Sequence, residues 1–215
     1  MATASQSLFN MTVASDNAGG NQGLLMPKLQ FRFRLNFLNF GLGSTAGLAL
    51  TKQVIDCSRP NVQFQEITLP VYNSTLYLAG KHQWQTLSVN VRDDASGSVA
   101  KAVGQQIQKQ LDFVEQASAA TGQDYKFQLN MEVLDGGNGT AAPVVLETWE
   151  MYGCFIQTAN YNTLNYGTND VVTIALTIRF DNAIQAPLGS GVGSSIARVA
   201  SGSTGSVTGI GGTTS

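Results

Sequence analysis

The residues of this chain that could carry out acid–base or metal chemistry are few and far apart. His82 is the single histidine, so a Ser-His-Asp triad could use only that residue as its base. A zinc site would have to combine His82 with Cys57, Cys154 and distant carboxylates, because no C-x-x-C or H-E-x-x-H spacing is present. We therefore predict that the chain is not an enzyme, with no catalytic residues, no cofactor and no metal site.

Two glycine-rich stretches and one acidic pair resemble chemical motifs but lack their context. "GLGSTAG", residues 41–47, does not lead from a strand into a helix, and "GSGVGSS", residues 189–195, has no following Lys-[ST]. Both are predicted to be connections rather than phosphate-binding loops. Asp93 and Asp94 are adjacent, and a turn before a helix explains them better than paired catalytic carboxylates.

The charge content sets limits on partners. Only 12% of the 215 residues are charged, against about 25% in an average domain, and the net charge is −2. A protein that binds nucleic acid tightly through phosphates normally shows a basic excess. A weakly charged surface also lacks the repulsion that keeps proteins apart, which favours self-association.

The termini and cysteines indicate where the chain folds. The first 20 residues have no basic segment followed by an apolar run, so no secretory signal is predicted. No stretch of about 18 apolar residues is present, so we expect no membrane span. Cys57 and Cys154 are expected to be partly buried thiols, and a reducing, intracellular site of folding is favoured over a disulfide-containing class.

Strands dominate the elements that must position any site. Residues 27–37, "PKLQFRFRLNF", alternate without a fault between apolar and polar side chains, which predicts a strand with one face in a core. Similar alternation predicts strands in the segments "LTKQVIDC", "NVQFQEITL", "STLYLAG", "WQTLSVNVR", "DYKFQLNMEV", "VVLETWEMYGCFIQTA" (with Gly153 as a bulge or kink) and "DVVTIALTIRF".

One helix interrupts the strands. An apolar stripe at spacings of four, four, four and three predicts a helix that packs on the sheet, and its members are Val99, Val103, Ile107, Leu111 and Val114. Residues 1–27 are polar and aperiodic and predict an N-terminal arm. Residues 188–215 are rich in Gly, Ser and Thr and predict a C-terminal arm, which leaves 28–187 as the β domain.

The order of these elements resembles the tail tube proteins of contractile-tailed bacteriophages, which are related to tailocin and secretion-system inner-tube proteins. Two segments carry the resemblance: residues 59–94, a hairpin leading into a W-x-x-L-x-V-x-V strand and an acidic turn, and residues 146–183, a W-x-x-x-G strand, a polar linker and a long alternating strand. With the helix between them, the resemblance covers roughly residues 28–185. The N-terminal arm, the "GGNGTAAP" insertion and the C-terminal arm have no place in the minimal family pattern.

The resemblance implies a mainly β fold, an antiparallel β-sandwich or half-barrel with one flanking α-helix. Six subunits would form a ring in which the sheets join into a continuous barrel, and the rings would stack into the inner tail tube. Ring closure would remove exposed strand edges, and head-to-tail stacking would propagate the tube. The expected partners are other copies of the chain, the sheath, baseplate and tail-terminator proteins, and double-stranded DNA in transit without tight binding. The expected place is the virion tail, after assembly in the host cytoplasm.

Two sets of residues are predicted to matter for such an assembly. Subunit contacts are expected in and beside the hairpin, because its apolar side chains would be poorly covered in a monomer; the candidates are Tyr72, Leu76, Tyr77, Leu78, His82 and Trp84. The channel lining is expected on the polar faces of the long strands, at Gln128, Asn130, Glu132, Thr173 and Thr177. Lys126 and Arg179 share those faces and are expected near a rim or paired with carboxylates.

Two other functions remain open from the sequence. The first is the inner tube of a tailocin or of a bacterial contractile secretion system. Neither the chain length nor the two arms distinguish such a tube protein from that of a phage tail. The second is a soluble ligand-binding β-sandwich such as a carbohydrate-binding module. That module would need an exposed aromatic platform, for which the candidates are Tyr72, Tyr77, Trp84, Tyr161 and Tyr166.

Overall fold

The computed structural model describes residues 28–43, 46–135, 143–186 and 191–193. The predicted N-terminal arm lies outside the described residues, as do residues 136–142 of the inserted loop and most of the predicted C-terminal arm. Within that arm, residues 191–193 lie beside the β domain, since the Val192 carbonyl accepts a 2.8 Å hydrogen bond from the Gln185 amide.

Eleven strands and three helices make up the described chain. The strands are β1 (Phe33–Leu38), β2 (Val54–Cys57), β3 (Val62–Val71), β4 (Ser74–Trp84), β5 (Leu87–Arg92), β6 (Leu111–Asp112), β7 (Ala117–Ser118), β8 (Phe127–Leu134), β9 (Val145–Asn160), β10 (Thr173–Arg179) and β11 (Asn182–Ala186). The helices are α1 (Ala46–Gln53), α2 (Ser98–Gln110) and α3 (Gly122–Tyr125). The predicted mainly β, antiparallel fold is confirmed.

Seven strands form one strongly curled antiparallel sheet in the order β1-β8-β9-β10-β5-β2, with β11 also paired to β9. Alternation places most apolar side chains of this sheet on its inner face, where they form a single core with Leu50 of α1 and Val99 and Val103 of α2. Helix α1 contacts both β1 and β5, which lie far apart in the strand order. The sheet is therefore a half-barrel, open between β1 and β2 in the described part of the chain.

A bulge at Gly153 bends the sheet. Strand β9 pairs with β8 and β11 along its first part and with β10 along its last part, and the register with β8 shifts between Cys154 and Met151. Gly153 has φ +67°, a conformation that glycine adopts without a steric cost. The sequence prediction of a bulge or kink there is confirmed. The bend separates a β8 part of the sheet (β1, β8, β11 and the first part of β9) from a β10 part (β2, β5, β10 and the last part of β9).

Replacing Gly153 with Ala is expected to lower the free energy of unfolding by about 1–3 kcal/mol, because the backbone there is left-handed. The new Cβ would also lie 2.2 Å from Oδ2 of Asp181. In the unaltered chain this oxygen forms an ion pair with Nζ of Lys126 at 2.5 Å. Chemical denaturation of Gly153→Ala with and without Asp181→Ala measures both contributions. The loss of stability caused by Gly153→Ala should be smaller in the Asp181→Ala background. Gly104→Ala is the control, because Gly104 lies in an open helical position, and it should cause no loss of stability. Equal stability of Gly153→Ala and the unaltered chain would contradict the assigned bend.

The helices differ from the single predicted one. Helix α2 ends at Gln110, so Leu111 lies in β6 and Val114 is 89% exposed in the following turn. The stripe stops there because Gln110 donates to the Ile156 carbonyl at 3.0 Å and accepts from its amide at 3.1 Å. The side chain of Gln110 thereby takes the place of a neighbouring strand along this stretch of β9.

The segments before β2 also differ from prediction. Residues 46–53, expected to be a glycine loop and the start of a strand, form α1. The alternation of residues 27–37 becomes strand only from Phe33, because a turn with a 3.2 Å bond from the Arg32 amide to the Leu29 carbonyl precedes it. Phe31, expected in the core, is consequently 73% exposed.

The acidic pair before α2 has the structural function that the sequence indicates. Asp94 accepts hydrogen bonds from the Ser98 amide at 2.8 Å and from the hydroxyls of Ser96 and Ser98 at 2.7 Å. The bonds from the side chains of Ser98 and Ser96 lower the pKa of Asp94 to about 2. Asp93 accepts from the Ala100 amide at 3.3 Å, so both carboxylates satisfy amides at the helix start.

Candidate assembly surfaces

The β3–β4 hairpin stands apart from the rest of the molecule. Its two strands pair with no other strand of the described chain; their pairing runs from Val62 opposite Trp84 to Val71 opposite Ser74, with a register shift between Phe64 and Glu66. Residues on both of its faces are exposed along almost its whole length. A two-stranded ribbon is marginally stable alone in water, so this hairpin needs a surface that the described chain does not supply.

One face of the hairpin is apolar. Ile67 lies opposite Leu78 and Leu69 lies opposite Leu76, so alternation brings all four side chains to the same side together with Val71. These five aliphatic residues are 41–53% exposed. Thr68, Thr75 and Tyr77 occupy the other face. We call the aliphatic side (Ile67, Leu69, Val71, Leu76 and Leu78) the apolar hairpin face; a patch of this kind marks a contact with a partner.

The tip of the hairpin is a two-residue turn at Tyr72 and Asn73. Tyr72 has φ +39° and its side chain is fully exposed. A bulky residue with positive φ is uncommon, and such conformations concentrate at functional positions. Tyr72 therefore presents its ring at the far end of the hairpin.

The predicted contact residues separate into two groups. Tyr72, Leu76, Tyr77 and Leu78 are exposed on the hairpin, and His82 is exposed in β4 with its ring 6.2 Å from that of Phe64. Trp84 is wrong as a surface candidate, because it is 6% exposed and packs with its ring 5.6 Å from Phe180 in the core.

The structure does not bring the aromatic candidates for ligand binding together. Trp84 is buried, Tyr72 and Tyr77 lie on the hairpin, and Tyr161 and Tyr166 lie on the loop that joins β9 to β10. An aromatic platform needs several rings on one surface. The described chain has no such platform among these five residues.

The predicted channel-lining residues lie on the polar outer face of the curled sheet, and all five are half-buried. Gln128, Asn130 and Glu132 belong to the β8 part, where Glu132 is level with Thr148 of β9. Thr173 and Thr177 belong to the β10 part, beyond the bend. The two groups lie toward opposite ends of β9, on either side of the bend at Gly153.

The outer face of the sheet is balanced in charge. The strand registers place three arginines and three carboxylates on it, and these are Arg34, Arg92, Arg179, Asp56, Glu132 and Glu150. Arg34 and Glu132 are paired across β1 and β8 at 2.5 Å. Lys126, at the start of β8, is paired with Asp181, as the sequence predicted for it. A phosphate chain passing this surface would meet hydrogen-bonding groups and as many carboxylates as arginines.

A buried carboxylate holds the open side of the half-barrel. Glu147 is 6% exposed and accepts hydrogen bonds from Lys28 at 2.5 Å, Arg59 at 2.5 Å, Trp149 Nε1 at 2.6 Å and Gln185 at 3.0 Å. It thus connects the segment before β1 with the segment after β2. Burial opposes its ionisation, but the hydrogen bonds from Lys28 and Trp149 and the charges of Arg59 and Lys28 outweigh burial and lower the pKa of Glu147.

Replacing Glu147 with Gln is expected to lower the free energy of unfolding by about 1–3 kcal/mol at neutral pH, since it weakens several charged hydrogen bonds. Because the folded-state pKa is lowered, this contribution is present above the unfolded-state value of about 4.3 and is lost as the pH falls through the folded-state value. Denaturation curves at pH 7 and pH 3 measure it. Glu115→Gln, at an exposed carboxylate, is the control, and an equally small effect of both changes would contradict the assignment.

The two cysteines are free thiols with raised pKa values. Burial and the nearby Asp56 raise the pKa of the free, half-buried Cys57 thiol to about 12. Burial also raises the pKa of the free Cys154 thiol to about 12. Within the described residues, no three His, Cys, Asp or Glu side chains lie together as metal ligands, and no helix there has both the length and the apolar character to cross a bilayer.

Three of the five residues of the apolar hairpin face were not identified from the sequence. Ile67, Leu69 and Val71 alternate with polar residues in "EITLPV", which indicated a strand but gave no sign that its apolar side is uncovered. The pairing of Glu147 with Arg59 also had no local signal, since 88 residues separate the two.

We compared the sequence and the fold with those of known proteins. No protein-family model matches the sequence, and no curated protein matches it. A chain in the cryo-EM structure of the anti-feeding prophage cap, described as a tube-terminating cap, superimposes with a TM-score of 0.59 over 80% of this chain and 98% of its own, at 10% identity. A chain of the anti-feeding prophage baseplate gives 0.53 over 75% and 97%, at 15% identity.

A chain from the extended sheath–tube complex of PVC, an extracellular contractile injection system, gives a TM-score of 0.52 over 74% of this chain and 90% of its own, at 12% identity. These matches extend over nearly the whole of the other chains. The protein therefore has a tail-tube-like fold, of the kind found in contractile injection systems, as the resemblance predicted.

Proposed function

We propose that this chain is the subunit of a tube, six copies forming a ring and the rings stacking into the inner tube of a contractile tail. The observation that carries the proposal is the apolar hairpin face, five aliphatic side chains uncovered on a chain with a tail-tube-like fold. The hairpin strands have 10 and 11 residues and pair with no other strand of the described chain, which is costly for a monomer and useful for an assembly.

The partners of the proposed tube follow from its place in the tail. Sheath protein would surround it, baseplate protein would begin it and a terminator would end it, in line with the cap, baseplate and sheath–tube structures that share the fold. Its place would be the tail of a particle assembled inside the host cell.

Sedimentation of the purified chain tests the proposal. The expected species is a ring with six times the 22.8 kDa chain mass, or larger stacks of such rings, in place of a monomer. A monomer at concentrations of tens of micromolar would contradict it, since the uncovered hairpin would then have no partner.

Two kinds of tube remain to be distinguished. The outer face of the sheet suits a conduit for DNA in a phage tail, because its three arginines are matched by three carboxylates and it presents phosphates with no excess of positive charge. The inner tube of an extracellular contractile injection system or of a tailocin is the second candidate, and it is favoured by the PVC and anti-feeding prophage chains that share the fold.

Lysine substitution in the channel separates these candidates and identifies the lining. We expect either Gln128→Lys or Thr173→Lys, but not both, to slow DNA delivery by assembled particles, because each residue lies on a different part of the bent sheet and added cations attract phosphate. Tube formation should persist in both variants. Normal delivery by both would contradict a DNA conduit lined by either part, and loss of assembly would show that the residue contacts protein.

A further inference from the structure

Head-to-tail stacking requires two different surfaces that fit each other at opposite ends of the subunit. Strands β5 and β10 define such ends, since Leu87 lies opposite Ile178 at one end and Arg92 lies opposite Thr173 at the other. The hairpin leaves the body at the Leu87 end, where the Gln85 amide donates a 2.8 Å bond to the Asn61 carbonyl.

A second uncovered apolar feature lies at the other end. The loop of residues 161–172 joins β9 to β10 beside Arg92, and its last residue, Val172, accepts a 2.9 Å bond from the Asp93 amide. Its side chains include Leu164, 82% exposed, and Tyr166, fully exposed. Asp170 is its one charged residue.

The loop has a defined concave shape. Its residues and Thr173 line a depression of about 600 Å³. Asn162 donates from Nδ2 to the carbonyl of Thr173 at 2.9 Å and to its hydroxyl at 2.8 Å, and Asn165 accepts from the Gly167 amide at 2.8 Å. These bonds fix the backbone while the apolar side chains stay uncovered.

We propose that the apolar hairpin face of one copy of this chain occupies the loop of residues 161–172 of a second copy, so that subunits join end to end. This inference rests on the proposed function and identifies the two surfaces that meet. Both surfaces are apolar and nearly uncharged, and one contact between them covers both. Pairing of two hairpins with each other would be isologous, would end at a dimer and would leave the loop exposed.

Cysteine crosslinking tests the contact, because a disulfide forms only when the two Cα atoms approach within about 7 Å. One full-length chain carries Leu76→Cys and another carries Tyr166→Cys, and the two proteins are mixed and oxidised. The unaltered chain, oxidised in parallel, measures any linkage formed by the native Cys57 and Cys154. We expect a linkage between positions 76 and 166, at least tenfold above the mixture of Leu76→Cys with Val114→Cys. The pair Leu78→Cys and Leu164→Cys provides an independent measurement, and all of these positions are exposed.

The outcomes separate the inference from the proposed function. A disulfide between positions 76 and 166 in small oligomers, with no rings or tubes, supports the proposed hairpin–loop contact and contradicts the proposed tube. Rings or stacks in which neither cysteine pair (76 with 166, or 78 with 164) is linked overturn the hairpin–loop contact. A predominant disulfide between position 76 of two copies overturns it as well. A monomer without any linkage overturns both.

Discussion

Replacing Leu76 and Leu78 with Asp is expected to abolish tubes while leaving a folded subunit. Both residues belong to the apolar hairpin face, and in an assembly they would be removed from water against a neighbouring copy. A carboxylate buried there without a partner is strongly unfavourable. Both side chains are about half exposed in the subunit and outside its core, so folding of the curled sheet should proceed as before.

The opposite face of the same hairpin supplies the control. Thr68→Asp with Thr75→Asp adds the same charge to the same hairpin, on the side that carries no aliphatic cluster. We expect the control to assemble, the Leu76→Asp and Leu78→Asp variant to remain dispersed, and both to show the circular dichroism of the unaltered folded chain. Tubes at normal yield from the leucine variant would show that the apolar face is not a subunit contact.

The second large effect concerns stability and is expected from Gln106→Leu. Gln106 of α2 is completely buried; its Oε1 accepts from the Gly41 amide at 2.9 Å and its Nε2 donates to the Tyr125 carbonyl at 2.6 Å. Leucine has a similar size but leaves both backbone groups without this partner. Each loss costs about 1–3 kcal/mol, so the free energy of unfolding should fall by about 2–6 kcal/mol.

A neighbouring glutamine makes the comparison specific. Gln108 lies on the exposed side of the same helix and donates only to Asp112. Gln108→Leu should change the free energy of unfolding by less than about 0.5 kcal/mol. Denaturant titration of both variants gives the difference, and similar values for the two would contradict the bridging function of Gln106.

The strands with one buried face were predictable because their alternation is local. In β8 and β10, each apolar residue predicted inward from Phe127 to Met131 and from Ile174 to Phe180 is buried. The bend at Gly153 was also predictable, since a glycine inside an alternating strand signals a bulge. These properties depend on residues that are close in sequence.

The rest depends on contacts between distant residues. The end of α2 is fixed by the bonds of Gln110 to Ile156, 46 residues away, although the apolar spacing continues to Val114. Trp84 is buried because Phe180, which follows β10, covers it, so the exposure predicted for this aromatic residue beside a hairpin was wrong. The candidate channel residues share alternating polar faces, but only the tertiary structure shows that the bend at Gly153 separates them into two groups.

Electron microscopy of the purified full-length chain tests the central claim most directly. Images should show rings that average to six-fold symmetry around an open channel, and these rings should stack into tubes of constant diameter. The Leu76→Asp and Leu78→Asp variant, imaged beside it at the same concentration, should show single subunits or isolated rings. Featureless monomers in both samples would contradict the account.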